Sequence, residues 1–457
     1  MPETWPRAPF QFVDKLYGEI RFPAFISALV RCPAVMRLRE VRMANINFIR
    51  YPGFANATRF EHSLGTCYLA SLAARSLGLA ERESLTLMAA ALYHDAATPA
   101  FAHATEEVLA DSFSFDHERK LFEILTGDPA AGRVASGRYL PIFLGRRAIL
   151  DRVCRSPAFR HLRVDPLEVA KTASGQGHLG TIIKADIDLD NIDNVIRAAL
   201  HMGLRPDPAL PIRLATNFTV SEGICHLSPH AIDDIVSWQE TRWRLYDAIF
   251  ADTEDFALQS MLKFAMQLAI RDGVLDSDDW CATDDELLYC LLPRSADALA
   301  VVERMRLGDL YPCLLVTTID DQAGAARVLD YKLRLEFEQS LSGQVGQQLI
   351  IGFFADRRIR ELKGPLAGLK IHSRVIRPRA SSGLVVGIFT PEENGVAREQ
   401  WKEVRKKGIA RERRNELRVA LKRWFRDGDM PGDELRTTRG RQERLDENAL
   451  NPRQSRP

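Results

Sequence analysis

Apolar residues recur at three- and four-residue spacing through most of residues 24–270, and this periodicity constrains the fold more than any other feature. The segments SLGTCYLASLAARSLGLA and RESLTLMAAALYHD show it well, and both contain few β-branched residues, as helices prefer. Gly78 and the ERES that follows predict that one helix stops and another starts there. We therefore predict a mainly α protein in which residues 1–270 form a helical core.

The composition changes after this region. CLLVTTI, QQLIIGFFA and SGLVVGIFT are short β-branched and aromatic runs bounded by Gly, Asp or Pro, which is typical of strands. They predict a smaller C-terminal α+β lobe over residues 271–392. Residues 393–426 are basic but keep an apolar face, which predicts a charged helix, whereas residues 427–457 predict a disordered tail.

The bulk numbers exclude several classes of protein. The 62 lysines and arginines nearly balance the 61 aspartates and glutamates, so no global field favours nucleic acid or a membrane. No apolar run is long enough to span a bilayer, and the N-terminus lacks a signal-peptide pattern. The seven cysteines are scattered without a Cys-x-x-Cys, which argues against disulfides and predicts a cytoplasmic protein.

Residues 59–117 hold four of the ten histidines, within RFEHSLG, YHDAATPAFAHATEE and FDHERK. His94 and Asp95 end an apolar helix, so we expect both side chains at the edge of the core. A buried carboxylate beside an imidazole is costly unless a partner compensates it, and a metal ion would do so. A solvated helix cap is the alternative for an isolated His-Asp pair.

A run of aspartates follows in KADIDLDNIDNVIRAA, residues 184–199. Acidic residues at the start of a helix can simply favour its positive end, and we prefer that interpretation for Asp186. The sharper interpretation is that one of these aspartates acts as a fourth metal ligand.

The order RFEHSLG, HD, Pro-x-Phe-x-His, His-Glu and Asp-x-Asp-x-x-Asp resembles the HD-superfamily deoxynucleoside triphosphate triphosphohydrolases, which include the dGTPase group. The likeness covers roughly residues 10–270 and implies an HD-domain helical bundle. It also implies one divalent metal ion, Mg, Mn, Fe, Co or Zn, held by His62, His94, Asp95 and Asp190.

The same resemblance implies roles for the residues around the metal. Arg59 would contact a substrate phosphate, and Glu106 would orient His103 as a general acid or base. His117 would lie near the phosphates, although a surface helix position is an equal alternative. The implied reaction is attack of metal-activated water on the α-phosphorus, which releases a nucleoside and triphosphate.

The sequence departs from this family at positions that touch substrate. Thr98 stands where relatives have His or Asn, and it cannot do imidazole acid–base work. Met43 and Asn194 occupy positions that contact substrate in relatives, but they differ from the family's residues there. Ala198 likewise replaces an Asp that holds the sugar. The likeness therefore supports metal chemistry better than a preference for deoxynucleotides.

Three functions follow from these residues. The leading hypothesis is a dNTP triphosphohydrolase that controls nucleotide pools or acts in phage defence. The others are a different HD phosphodiesterase or nucleotidase, and a nucleotide-sensing regulatory protein with weak turnover. The resemblance implies a nucleotide substrate, an allosteric nucleotide and a homo-oligomer, either a tetramer or a hexamer. Nucleic acid is a less favoured partner, because glutamates interrupt the basic helix.

Overall fold

A computed structural model of the chain shows two compact units, each described separately below. The first comprises Met1–Ala251, Ala265–Glu303 and Arg358–Arg379, and the second comprises Asp252–Phe264, Arg304–Arg357 and Ala380–Pro457. The structure describes residues 9–44, 50–126, 164–221, 223–250, 252–319, 322–346, 348–355, 358, 366, 383–391 and 409–428. Among these residues, no helix combines the length and hydropathy that crossing a bilayer requires.

The first unit is helical, with two small hairpins at its edges. The antiparallel hairpins are β1 (Phe10–Asp14) with β2 (Gly18–Phe22), and β3 (Phe218–Ser221) with β4 (Ile224–Leu227). Its helices up to residue 250 are α1 (Ala24–Val30), α2 (Pro33–Arg37), α3 (Pro52–Ala55), α4 (Arg59–Ser76), α5 (Glu81–Tyr93), α6 (His103–Phe113), α7 (His117–Thr126), α8 (Pro166–Ala173), α9 (Gly180–Ile183), α10 (Leu189–His201), α11 (Leu210–Ala215) and α12 (Ile232–Phe250).

Two further helices extend across the division between the units, and shorter elements lie among them. Helix α13 (Thr253–Arg271) comes first, the one-turn α14 (Asp284–Glu286) follows, and α15 (Ala296–Leu307) comes last. Single turns of 3-10 helix occur at Leu38–Glu40, Pro229–Ala231, Ser277–Cys281 and Leu292–Arg294, with a π turn at Leu287–Leu291.

Helix α4 is central to the core of the first unit. It packs against α5 and α10, while α10 also packs against α12, and α8 packs against α5 and α7. Helix α4 ends at Ser76, and α5 starts at Glu81, which confirms the predicted break. Gly78 lies between them with a φ of 64°, a conformation that favours glycine.

The second unit contains an antiparallel three-stranded sheet packed against helices. Strands β5 (Cys313–Ile319), β6 (Ile350–Ala355) and β7 (Leu384–Phe389) lie in the order β5–β7–β6. Helix α16 (Gln322–Leu329) contacts α17 (Tyr331–Val345) and α18 (Ile409–Asp427), and the α18 helix also contacts β5. The ring of Trp424 stacks on Phe337, with centroids 4.1 Å apart.

The mainly α fold with a smaller sheet-containing part is confirmed. One predicted boundary differs from the structure, because Ala265–Glu303 belongs to the first unit, whereas we predicted residues 271–303 in the C-terminal lobe. The predicted basic helix corresponds to Ile409–Asp427. Its earlier part, residues 393–408, and the predicted tail beyond residue 428 lie outside the described residues.

Candidate metal centre and its rim

Helix α4 begins with two of the predicted site residues. Thr58 caps the helix, because its side chain accepts a hydrogen bond from the Glu61 amide at 3.3 Å. Arg59 and His62 are three residues apart, so they occupy neighbouring positions on one helical face. Both side chains are buried, as a contribution to an internal site requires.

Helix α5 ends at Tyr93, which leaves His94 and Asp95 just beyond its carboxyl end. Both side chains are buried, so the pair is not a solvated cap. His94 Nδ1 lies 2.7 Å from the Ala91 carbonyl oxygen. Because a carbonyl only accepts, Nδ1 carries the proton in the neutral ring, and Nε2 keeps its lone pair. That Nε2 lies 3.1 Å from Nε2 of His62.

Asp190, in the first turn of α10, completes a compact group of candidate ligands. Its Oδ1 lies 3.0 Å from His62 Nε2 and 3.6 Å from His94 Nε2. Asp188 fixes this turn, because it accepts hydrogen bonds from the amides of Ala185 and Asn191 at 2.7 Å. We call His62, His94 and Asp190 the buried cluster after its two buried histidines, the Asp190 side chain being 35% exposed, and within the described chain it could hold a metal ion.

The donor set of the buried cluster fits a divalent cation. His62 Nδ1 lies 2.7 Å from Asp193 Oδ1, so both imidazoles direct an Nε2 lone pair at the same space. The three candidate ligand atoms lie 3.0 to 3.6 Å from one another. Neighbouring ligands bound at about 2.1 Å to one ion are separated by roughly 3.0–3.4 Å. Imidazole and carboxylate suit several divalent metals, so the identity of the ion stays open.

The electrostatics of the cluster also favour positive charge. Burial opposes protonation of His62, yet its hydrogen bonds with Asp190 and Asp193 raise its pKa to about 9. The pKa of His94 is raised as well, because the carboxylates of Asp95 and Asp190 outweigh the effect of burial. The site therefore attracts a proton strongly, and a divalent cation would satisfy the same demand.

Asp95, the remaining predicted ligand, lies beside the cluster. Its Oδ2 is 3.6 Å from His94 Nε2 and accepts a hydrogen bond from the Arg59 guanidinium at 2.8 Å. Its Oδ1 accepts one from the Thr98 hydroxyl at 2.8 Å. Burial would raise the pKa of Asp95, but Arg59 holds it well below its usual range. Asp95 is thus a buried anion whose ligand role remains a prediction.

Behind His62 lies a buried ion network that our sequence prediction missed. Asp193 accepts a hydrogen bond from Arg197 Nε at 2.8 Å and another from the Tyr17 hydroxyl at 2.7 Å. Arg197 also donates to Asp14 at 3.0 Å. A Cβ on Gly65 would lie 2.2 Å from Arg197 Nη2, so the glycine of RFEHSLG permits this approach. The spacing of Asp190, Asp193 and Arg197 along one helix was the available signal.

A second ionisable group, which we call the rim triad, comprises His103, Glu106 and His117. Glu106 Oε2 lies 3.1 Å from His103 Nδ1, and its Oε1 contacts His117 Nδ1. The side chains of His103 and His117 are 50% and 31% exposed. Burial lowers the pKa of His117, but the Glu106 carboxylate outweighs burial and raises it, and Asp95 contributes in the same direction as Glu106. The predicted His-x-x-Glu pairing is present, and His117 joins it.

The other predicted substrate positions are placed differently. Asn194 is partly buried on α10, one turn beyond Asp190. Met43 is 7% exposed and belongs to the hydrophobic core of the first unit. Its amide donates to the Ala57 carbonyl at 2.9 Å. Substrate contact by these two residues stays a prediction.

Sequence comparisons identify one domain family and several similar proteins. The sequence profile of the HD domain family matches residues 59–141. An uncharacterized protein of Methanocaldococcus jannaschii is 26% identical over 76% of this chain and 70% of its own length. An uncharacterized protein of Mycoplasma genitalium is 24% identical over 56% of this chain and 59% of its own length. The deoxynucleoside triphosphate triphosphohydrolase SAMHD1 of Mus musculus is 33% identical over 99 residues, 20% of this chain and 15% of that protein.

The chain therefore contains an HD domain, and its helical core carries the candidate ligands of such a domain. It resembles the deoxynucleoside triphosphate triphosphohydrolases over about a fifth of its length. These findings support a metal-dependent HD phosphohydrolase.

Proposed function

We propose that the chain is a metal-dependent hydrolase of nucleoside triphosphates, with deoxynucleoside triphosphates as its leading substrates. The observation that carries this proposal is the buried cluster, in which two Nε2 lone pairs and the Asp190 carboxylate converge beside Arg59. The similarity to the mouse triphosphohydrolase supports the substrate class. A divalent cation bound there would supply Lewis-acid charge at the reacting phosphoryl group.

Arg59 would bind and orient the substrate. Its guanidinium is held by Asp95, and it stays protonated at any physiological pH. A guanidinium offers several donors in a fixed plane, which suits phosphate oxygens. Lys184 forms an ion pair with Glu118 on α7. Its positive charge lowers the pKa of His117, so it lies close enough to act on the rim triad.

The rim triad would supply the proton that the departing 5′-oxygen needs. In the proposed reaction, water adds to the α-phosphorus, and the bond from phosphorus to the 5′-oxygen breaks. Glu106 raises the pKa of His117 and so favours its protonated form, which can donate a proton to the departing 5′-oxygen. Glu106 stabilises the imidazolium, and the contact of its second oxygen with His103 fixes its orientation.

A different HD phosphodiesterase or nucleotidase is the second candidate. The observation that favours it is the placement of Met43 in the core. A methionine side chain offers none of the polar groups that a deoxyribose-reading pocket would need. This alternative keeps the metal centre and changes only the substrate.

A substrate panel separates these functions. Purified protein is incubated with Mg, Mn or Co and each of the eight common NTPs and dNTPs, and products are resolved by ion exchange. Nucleoside plus triphosphate from dNTPs is the expected result. Orthophosphate, pyrophosphate or an opened cyclic nucleotide would support the second candidate. Saturable nucleotide binding without any product would instead support a sensing role.

A further inference from the structure

The loop between Asp95 and His103 has an unfavourable backbone conformation at its far end. Phe101 and Ala102 have φ values of 52° and 49°, although neither is a glycine. L-residues rarely adopt this region, so the surrounding structure must hold the loop in place. His103, the first residue of α6, follows directly.

Asp284 makes the contact that holds this end of the loop. Its Oδ1 accepts a hydrogen bond from the Phe101 amide at 2.8 Å. Its Oδ2 accepts from the Arg42 amide at 3.0 Å and from the Arg42 guanidinium at 3.2 Å. The carboxylate is fully buried, and burial raises its pKa to about 6 despite these donors. A buried carboxylate carries a desolvation penalty in folding free energy that an apolar residue at this position would not have.

Arg37 donates hydrogen bonds to the near end of the same loop and to a residue close to Asp284 in the chain. Its Nη2 donates to the carbonyls of Ala96 and Thr98 at 3.2 and 2.5 Å. Its Nη1 donates to the Ala282 carbonyl at 3.0 Å, two residues before Asp284. Both ends of the loop are therefore fixed against residues 282–284.

The Arg42 contact extends this arrangement to helix α4. Arg42 forms an isolated antiparallel β-bridge with Thr58, the cap of the helix that carries Arg59 and His62. The Arg59 amide donates to the neighbouring Val41 carbonyl at 2.8 Å. One carboxylate thus contacts both the Phe101 amide, two residues before His103, and the Arg42 segment that pairs with the residue capping α4.

On the basis of the proposed function, we propose that Asp284 is a positioning residue that sets His103, and through it the Glu106 carboxylate, relative to the metal centre. It acts through the Phe101 amide, and it does not touch substrate. Loss of this contact lets the loop relax from its strained conformation and displaces His103. A misplacement of about 1 Å can cost about a hundredfold in rate.

Hydrogen exchange of the full-length protein tests the contact apart from activity. Asp284→Ala is expected to speed exchange of the amides at 98–104 by at least about tenfold. Asp285→Asn is the matched control, because Asp285 lies 3.7 Å from Arg42 but has a 60% exposed side chain. It is expected to leave these amides within about twofold. If the alanine variant fails to fold, Asp284→Asn replaces it. The asparagine keeps one oxygen to accept from the Phe101 amide and places its NH2 group against Arg42, so a smaller increase in the exchange rate is expected.

Kinetics then test the positioning role. Asp284→Ala should lower kcat by about 10- to 100-fold and leave KM and metal affinity within about twofold. In a His103→Ala background, the same substitution should cost less than about threefold, because the positioned group is already absent. Equal losses in both backgrounds would overturn the inference, as would unchanged exchange. An inactive wild type whose loop still responds to Asp284→Ala would refute the proposed function and leave the loop contact established.

Discussion

The buried cluster and the rim triad both combine imidazoles with a carboxylate, but their surroundings differ. In the buried cluster, each histidine has its Nδ1 fixed by an oxygen, and the Nε2 atoms face inward. In the rim triad, both histidines share Glu106, and the side chain of His103 is half exposed. The first arrangement fixes the orientation of both imidazole rings, whereas the second leaves its side chains open to proton exchange with solvent.

This difference suits the buried cluster and the rim triad to different steps. Fixed tautomers and burial suit the binding of a cation, which needs lone pairs in a constant position. A shared carboxylate with partly exposed imidazoles suits proton transfer, which needs a group that titrates and is reloaded from water. Substitutions should therefore affect metal content in one region and the pH dependence of turnover in the other.

The largest effect is expected from His94→Ala or Asp190→Asn. Either substitution removes a candidate ligand from the buried cluster, so bound metal and turnover should fall together, the rate by at least about 1,000-fold. Elemental analysis and a turnover assay measure both quantities. His178→Ala, which alters an exposed histidine paired with Glu83, is the control. If either variant kept its full metal content and its full rate, the buried cluster could not be the metal site.

Glu106→Gln should act on the proton and leave the metal in place. We expect kcat to fall about 100-fold with unchanged metal content. Because Glu106 raises the pKa of His117, the wild-type rate should fall as pH rises through that raised value. Without the carboxylate, this descending limb should move to lower pH. Glu107→Gln is the neighbouring control, and a pH profile that Glu106→Gln does not shift would contradict the assignment.

Asp193→Asn should weaken the metal centre without removing a ligand. The change disturbs the hydrogen bond that fixes the His62 tautomer, so metal affinity should fall by about 10- to 100-fold. Excess metal should restore most of the rate, as titration calorimetry combined with turnover assays can show. Asp186→Asn, on the same acidic segment, should leave affinity unchanged. A defect that saturating metal cannot rescue would mean that Asp193 has another role.

Thr98 should give the smallest effect. Thr98→Val removes the hydrogen bond to Asp95, which is worth about 1 kcal/mol or roughly fivefold in rate. Thr98→Ser keeps the hydroxyl and should behave like the wild type. A loss of a hundredfold in Thr98→Val alone would place this residue in the chemistry itself, and the buried region would then no longer be limited to binding metal.

The resemblance to a known family implied the candidate ligands, and the structure brings three of them together although His62 and Asp190 are 128 residues apart. The helix break at Gly78 and the strands of the second unit follow from short-range patterns. Among the aspartates of residues 184–199, however, spacing alone does not distinguish the roles. Asp188 caps the helix, Asp190 faces His62, and Asp193 pairs with Arg197, and tertiary partners determine each role.

Asp284 shows where sequence reasoning stopped. It lies 183 residues from Phe101 along the chain, within a segment that we predicted to belong to another lobe. Nothing in TDDEL distinguishes it from Asp285 beside it, yet one carboxylate is fully buried and the other is exposed. Only the folded neighbourhood separates two such residues, because burial depends on contacts remote in sequence.

The first hairpin has a practical implication for anyone who shortens or tags this protein. Asp14 ends its first strand and Tyr17 lies in its turn, and through Arg197 and Asp193 they support the imidazole of His62. A version starting at residue 24 would delete both groups, so Arg197 would lose its Asp14 partner and Asp193 would lose the Tyr17 hydroxyl donor. Preparations trimmed that way should copurify with less iron, manganese or zinc, although every candidate ligand would still be encoded.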